Sequence, residues 1–345
     1  MIKQRISGAF GAAKEAMQDW LGNGLAWRIA AVAVPVYLLL VVVFGVYWSF
    51  TPDMPETRYL QQDAKKAVVG TATTSALIDV SEVLLSKPGG FISNDITPPG
   101  IFMDDMPAWE YGVLIQVRDL SRAMRESFSR SQSQSQEDAD LAKAEPRFNF
   151  SNNSWAVPAS ESEYGQGIKF LKAYRKRLSD VDDPQAQFYA RADNLRYWLA
   201  GVESRLGSLS QRLSASVGRP RLNTDLANDA NARQSTPGES EQRVKTPWLK
   251  LDNVFYESRG TAWALICFLR AVEVDFADVL ANKNAAVSLR QIIRELEGTQ
   301  QAMYSPMVLN GGGFGLLANH SLVMASYITR ANAAITDLRD LLSQG

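Results

Sequence analysis

The strongest hydrophobic pattern in the chain is an uninterrupted apolar run near the N-terminus. Residues 29–50 read IAAVAVPVYLLLVVVFGVYWSF and carry no charge. At about 1.5 Å per residue, a helix of this length spans roughly 30 Å, the thickness of a bilayer core. Trp27, Tyr47 and Trp48 lie at its ends, as in the aromatic belt of membrane helices. A cleaved signal peptide is the alternative, but SFTPDMPE follows instead of a small-residue cleavage site. The run therefore predicts a retained transmembrane helix.

The flanks of this run differ in charge, and the difference predicts its orientation. The residues concerned are Lys3, Arg5, Lys14 and Arg28 before the run, and Asp53 and Glu56 after it. The basic side of a membrane helix stays in the cytoplasm. Residues 1–28 are therefore predicted to be cytoplasmic, and residues 51–345 are predicted to lie on the other side of the inner membrane. In a Gram-negative cell that compartment is the periplasm. Apolar residues recur at helical spacing within the tail, which favours an amphipathic helix on the inner leaflet; a plain topology signal is the alternative.

Beyond the run, apolar positions follow a helical period and hardly any segment alternates as a strand does. The clearest pattern is a heptad seam in residues 184–218, where Asp183 caps a helix and Pro184 fits its first turn. Its apolar positions are Phe188, Ala192, Leu195, Leu199, Val202, Leu206, Leu209 and Leu213. The pattern predicts an all-α fold, an N-terminal transmembrane helix followed by an extracytoplasmic helical bundle with coiled-coil-like packing. Such seams also favour self-association into a homo-oligomer.

Breaks in the helical pattern predict the organisation of the outer part. Helices are expected over residues 57–87, from Pro107 to Phe128, around Leu265–Leu280 and over about 316–342. The polar run SRSQSQSQEDAD, residues 129–140, is interpreted as a solvated extension of a helix. Residues 219–246 are rich in Asn, Ser and Gly and predict a disordered linker or insertion. We divide the outer part into residues 51–183 and residues 184–345.

A weak internal repeat relates these two parts. Placing Asp104 on Asp252 aligns Gly112 with Gly260, Arg122 with Arg270 and Phe128 with Phe276; Pro99 with Pro247 and Ala123 with Ala271 complete the matches. Two pseudo-repeated halves are one interpretation, and chance similarity after choosing the offset is the other.

Composition changes this picture little. The chain has 345 residues, 46% hydrophobic and 21% charged, with a net charge of −1. There is no basic field to bind nucleic acid. The single cysteine, Cys267 in WALICFLRAV, cannot form an internal disulfide and is interpreted as a small buried residue.

The stretch LNGGGFGLLANHSL, residues 309–322, combines four glycines with the only histidine. A phosphate-binding loop would need Lys and Ser/Thr after the last glycine, and Leu316 and Leu317 stand there instead. The glycines are therefore predicted to form a reversal between helices, with a ligand or partner contact as the alternative. His320 falls on the apolar seam of the last helix, which favours a core residue over a pH sensor. The candidate contact residues are Gly311, Gly312, Gly313, Phe314, Gly315, His320, Trp155 and Trp109.

Other chemistries lack the residues they need. One histidine and one cysteine exclude a zinc site of the usual kind, and no G-x-S-x-G elbow or calcium loop occurs. The carboxylates Asp104, Asp105, Glu110 and Asp252 occur where helix starts favour acids, so catalysis by them is the less favoured interpretation. No cofactor and no catalytic residue is predicted.

Long stretches of the chain resemble a known family. GGFISNDITPPG, DMPAWEYGVLIQVRDLSRAMR, SRSQSQSQED and AQFYARADNLRYWL are similar to a proteobacterial inner-membrane family catalogued as domain of unknown function 2333. The resemblance covers most of residues 29–345. It implies a single-pass protein of a Gram-negative host, and it supplies no activity, cofactor or catalytic residue.

Three functions remain open. The first is a non-catalytic scaffold, assembly or interaction component of the cell envelope, anchored in the inner membrane with an envelope protein as partner. The second is a periplasmic ligand-binding or sensor domain that signals through a partner, because the short tail has no room for an output domain. The third is a glycan- or lipid-processing enzyme that uses Asp and Glu. A flat apolar patch would favour the first, a closed apolar cavity the second, and acidic residues in a deep cleft the third.

Overall fold

The structure is a computed structural model. It describes residues 24–55, 68–131, 136–180, 186–222, 241–303, 305, 307–313 and 316–344. The predicted amphipathic tail lies outside these residues, as do the first part of the helix expected at residues 57–87 and most of the linker predicted at residues 219–246.

Ten helices lie within the described residues. They are α1 (Leu25–Trp48), α2 (Thr71–Ser86), α3 (Asp105–Ala123), α4 (Leu141–Phe148), α5 (Ser160–Leu178), α6 (Ala192–Ser214), α7 (Leu251–Asp275), α8 (Ala277–Asn282), α9 (Ala286–Gly298) and α10 (His320–Ser343). A short π-helical turn, Met124–Phe128, extends α3. One antiparallel ribbon joins β1 (Arg219–Leu222) to β2 (Glu241–Val244), with Arg219 opposite Val244. The all-α prediction is confirmed, and the ribbon is a small addition to it.

The apolar run forms α1, as predicted. Its segment Ile29–Trp48 is long and apolar enough to cross a membrane, and none of its most apolar window is buried against the rest of the protein.

Two local predictions were wrong. Residues 129–140 do not extend a helix where they are described: the π turn ends at Phe128, and residues 136–138 have no regular structure. The helix expected to begin at Pro184 begins at Ala192, because Phe188 lies in the preceding loop and packs on Phe128 and Phe276. The ends of residues 219–246, predicted as a disordered linker or insertion, pair as β1 and β2. Residues 223–240 lie outside the described residues, so the linker stays a prediction.

The centre of the domain is the close parallel packing of α3 on α7. Two glycines make it close: a Cβ on Gly112 would lie 2.1 Å from the carbonyl oxygen of Glu257, and a Cβ on Gly260 would lie 2.1 Å from that of Trp109. Any side chain at either position would push the two backbones apart. The rings of Trp109 and Trp263 pack edge to face beside the crossing, 5.2 Å apart.

This packing has the symmetry that the internal repeat expects. The repeat sets Gly112 on Gly260 and Trp109 on Glu257, since 260 − 112 and 257 − 109 both equal 148. Gly112 therefore contacts Glu257, three positions before Gly260, and Gly260 contacts Trp109, three positions before Gly112. Phe128 and Phe276, also matched by the repeat, contact each other with ring centroids 5.4 Å apart.

The packing of whole helices follows the same two-fold pattern. In the first half α2, α3, α4 and α5 pack in a cycle, and in the second half α6, α7, α9 and α10 do the same. Across the halves, α2 packs on α7 and α6 packs on α3. The offset of 148 residues aligns only the second and third helices of the two halves. It does not align the first and fourth helices, because the connections at residues 215–250 and 299–319 are longer than those of the first half. Duplication remains an interpretation, and the contacts agree with it.

The heptad seam of α6 is buried against α10 of the same chain. Leu195, Leu199, Val202 and Leu206 are fully buried, and on α10 Ile328, Ile335 and Leu338 are fully buried too. The seam is thus an internal interface of this chain, and self-association through another surface stays a prediction.

Short-range contacts hold the end of α1 against the domain. The Trp48 ring covers Gly89, whose added Cβ would lie 2.7 Å from the ring, and Pro99 packs on Gly45. After the helix, the indole nitrogen of Trp263 donates to the carbonyl of Pro52 at 3.1 Å. The domain therefore lies directly beside the last turn of α1.

Candidate functional site

An apolar pocket of about 350 Å³ opens between α7, the end of α9, the loop after it and the start of α10. Phe255 and Arg259 of α7 form one wall, and Met324 and Tyr327 of α10 form the opposite one. Gly298 makes room for Tyr327, because a Cβ there would lie 2.4 Å from the tyrosine ring. The remaining lining residues are Thr299, Gln301, Ala302, Met303, Ser305, His320 and Val323. This size falls within the range of small-molecule pockets.

Arg259 is the only charged side chain among the described residues that line this pocket. Its guanidinium donates to the carbonyl oxygens of Gln301 and Gln300, 3.1 Å each. Its Nε is buried and, within the described part of the chain, has no hydrogen-bond partner. Burial lowers the pKa of Arg259 from its ordinary value, because desolvation penalises the charged form. The site therefore holds a poorly compensated positive charge.

A second cavity of about 550 Å³ adjoins the pocket at the end of α1. Val46, Ser49, Phe50 and Thr51 form its side at α1. The domain side consists of Tyr256, Arg259, Ala302, Met303 and Ser305, and the last four of these also line the apolar pocket. We call this second cavity the α1 cleft. The two cavities thus share one wall with Arg259 in it.

The glycine-rich stretch forms a short hairpin that ends at α10. Asn310 pairs with Asn319 as an antiparallel bridge, and the Gly311 nitrogen donates to the carbonyl of Ala318 at 3.1 Å. Asn319 caps α10 by accepting from the Leu322 nitrogen. The predicted reversal is therefore present, while Phe314 and Gly315 lie outside the described residues.

The glycines of this hairpin differ in whether backbone conformation or lack of space requires glycine at that position. Gly313 has a positive φ of 83°, which favours glycine. An added Cβ on Gly311 would lie 2.3 Å from the Leu317 carbonyl oxygen, whereas one on Gly312 would meet nothing within 4 Å. Among the described glycines of the hairpin, only Gly313 therefore adopts the left-handed conformation.

His320 lies at the edge of the apolar pocket and is only partly buried. Its Nδ1 accepts from the Leu309 nitrogen at 3.1 Å, so the neutral ring carries its proton on Nε2. The prediction of a satisfied nitrogen holds, but the core position does not, since His320 is the first residue of α10. The buried seam of that helix begins at Met324.

The two candidate tryptophans have opposite environments. Trp155 is 63% exposed in the loop before α5, so it is available for contacts. Trp109 is fully buried between α3 and α7, and a surface contact is therefore closed to it. The aromatic pattern alone could not separate these two.

The acidic residues Asp104, Asp105 and Asp252 do meet, at the N-terminal ends of α3 and α7. The Asn253 amide, with its nitrogen facing them, donates to Asp104 and Asp252 at 3.2 Å each. Desolvation, followed by the charges of Asp252 and Asp104, raises the pKa of Asp105 to about 7. Among the described residues no group of three or more His, Cys, Asp or Glu is arranged to hold a metal ion.

Glu110, the fourth predicted carboxylate, has a structural role. It is fully buried in an ion pair with Lys87, with 2.6 Å between Oε1 and Nζ. Its carboxylate also accepts from the nitrogens of Ile92 and Ser93, 2.8 Å each. The pair thereby fixes the loop after α2 against α3, beside the end of α1.

Sequence patterns contain little sign of the pocket residues. Arg259 precedes a glycine within a helix and has no feature that separates it from a surface arginine. The match between Gly298 and Tyr327 depends on how α9 packs on α10, which periodicity does not specify.

Comparison with known proteins identifies a family. The chain matches the family described as "Uncharacterized protein conserved in bacteria (DUF2333)" over residues 20–345. The chain belongs to this family, which confirms the resemblance found in its sequence. Neither the curated proteins nor the solved structures contain a significant match.

Proposed function

We propose that this chain is a single-pass inner-membrane protein whose helical domain, residues 51–345, lies in the periplasm and acts as a non-catalytic assembly or interaction component of the cell envelope. The exposure of α1 supports the anchor: no residue of its apolar window is buried by the protein, so the helix needs an apolar surrounding. Basic residues before α1 and acidic residues after it support the orientation.

Contacts at the end of α1 support a domain that lies against the periplasmic surface of the inner membrane. Pro99 packs on Gly45, which lies within the last turn of α1, so its loop reaches the level of the lipid headgroups. The neighbouring side chains Ile96, Ile101 and Phe102 are 52%, 55% and 76% exposed. Exposed apolar residues at this level favour insertion into the membrane interface.

The hairpin before α10 is the observation that carries the interaction role. Leu316 and Leu317 are 107% and 67% exposed, while hydrogen bonds at Gly311 and His320 hold the base of the hairpin in place. Two adjacent exposed leucines on a constrained hairpin form an apolar patch, and such patches favour contact with an apolar site on a protein partner. Val323, on the first turn of α10, adds to this apolar surface at 56% exposure.

Site-specific photocrosslinking in living cells tests this role. A benzophenone amino acid replaces Leu317, and the matched control replaces Val287, an equally apolar residue of α9 that is 72% exposed on another surface. We expect one discrete protein adduct from position 317 that disappears when the partner identified from it is deleted. Equal adducts from both positions, or lipid adducts alone from position 317, would contradict a partner site at the hairpin.

Ligand binding is the second candidate, and the apolar pocket beside Arg259 favours it. The pocket is open rather than closed, and it adjoins the α1 cleft instead of lying deep within the domain. A binding role would accompany the interaction role without requiring catalysis.

A further inference from the structure

We infer that the apolar pocket and the α1 cleft together bind an anionic glycerophospholipid of the adjacent leaflet, with an acyl chain in the pocket and the phosphate at Arg259. This inference rests on the proposal that α1 crosses the membrane, and it does not depend on the protein partner of the hairpin.

Location is the first argument. Val46 belongs to the last turn of α1, and Ser49, Phe50 and Thr51 follow it, so the α1 cleft opens where the membrane surface lies. Phospholipids of that leaflet present their phosphates at this level. The shared wall then gives an acyl chain a short path from the cleft into the apolar pocket.

Charge is the second argument. Arg259 is the only charged residue among the described residues that line either cavity, and neither lining contains a described carboxylate. Two of its nitrogens face backbone carbonyls, and its buried Nε has no partner among the described residues. A phosphate in the cleft would supply the missing negative charge. The hydroxyls of Thr51 and Ser305 line the same cleft and offer further donors.

Shape and chemistry of the walls are the third argument. Phe255, Met303, Met324 and Tyr327 form an apolar lining, and methionine side chains adapt to chains of varied shape. Gly298 is needed for this lining, since any side chain there would displace the ring of Tyr327. The pocket is therefore built for an apolar occupant whose charged end remains at its mouth.

The test is native mass spectrometry of the full chain purified in detergent. The protein is mixed with equal amounts of phosphatidylglycerol and phosphatidylcholine that carry the same acyl chains. We expect the anionic lipid to be retained preferentially. Arg259→Gln should lower its binding about tenfold, the loss of one charged hydrogen-bonding partner. The matched control is Arg290→Gln, which removes an exposed arginine paired with Glu273 and should leave lipid binding unchanged.

A second variant and a second probe separate the alternatives. Ala302 is exposed and lines both cavities, so Ala302→Phe should block lipid binding without disturbing the core. Glycerol phosphate, the headgroup without acyl chains, should neither bind nor compete. Equal retention of both lipids, equal effects of Arg259→Gln and Arg290→Gln, or competition by glycerol phosphate would overturn the inference. None of these outcomes depends on topology, so a failure here is distinct from a failure of the anchor.

Discussion

Replacing Gly112 with alanine tests the central packing of the domain. The new Cβ would lie 2.1 Å from the Glu257 carbonyl oxygen and 2.8 Å from the Thr261 nitrogen. Carbon and carbonyl oxygen normally approach to roughly 3.3 Å, so α3 and α7 must separate by about 1 Å. Both obstacles are backbone atoms within a helix, and no side-chain rotation can relieve the contact.

The expected cost follows from two opposing effects. Overpacking a tight interface costs about 1–3 kcal/mol, and a backbone obstacle places this change at about 3 kcal/mol. Alanine in a helix regains about 1 kcal/mol over glycine. The free energy of unfolding should therefore fall by about 2 kcal/mol. Gly260→Ala should cost a similar amount because its Cβ meets the Trp109 carbonyl in the same way. The double variant should cost less than the sum, since one separation of the helices accommodates both methyl groups.

Denaturant unfolding of the detergent-solubilised chain, followed by circular dichroism, measures these effects. Gly201→Ala in α6 and Gly165→Ala in α5 are matched controls, because a Cβ at either position meets nothing within 4 Å. Both should raise stability by about 0.5–1 kcal/mol through helix propensity. If Gly112→Ala stabilised the protein as Gly201→Ala does, the close approach of α3 and α7 would be refuted.

Three further predictions follow from single sites. Glu110→Ala should lower the free energy of unfolding by about 3–5 kcal/mol in the same titration, because it leaves Lys87 buried without its partner; an effect below about 1 kcal/mol would contradict the buried pair. Since the folded state raises the pKa of Asp105 from 3.8 to about 7, it binds that proton more tightly than the unfolded chain does. Stability should therefore fall as pH rises from about 4 to about 7, and thermal melts of Asp105→Asn should lack this component. Gly311→Ala should expose the hairpin to limited proteolysis because its Cβ meets the Leu317 carbonyl, whereas Gly312→Ala should be cleaved like the unchanged protein.

Periodicity was sufficient to predict the helices whose faces are buried. The apolar run became α1, and the heptad positions from Leu195 to Leu213 are buried on α6. Spacing alone did not predict what the seam packs against, because the same pattern suits a partner chain and a helix of the same chain. The structure supplies α10 as that neighbour.

Features that depend on tertiary packing were not predictable. Phe188 continues the heptad by spacing, yet the aromatic cluster with Phe128 and Phe276 holds it in a loop. Support for the weak repeat comes from the structure, because Gly112 and Gly260 lie at the same crossing of α3 and α7. The candidate lipid site depends on Arg259. That no carboxylate of the described residues pairs with it is a property of the packed helices and not of its neighbours in sequence.

The proposed function depends most directly on the side of the membrane that carries the helical domain. Labelling with a membrane-impermeant maleimide in intact cells measures this. Cys267 is 1% exposed, so the unchanged chain provides the unlabelled control. A cysteine in place of Lys169, an exposed residue of α5, reports on the domain. We predict that Lys169→Cys is labelled in intact cells to the same extent as after lysis. Labelling of that variant only after lysis would place the domain in the cytoplasm and contradict the account.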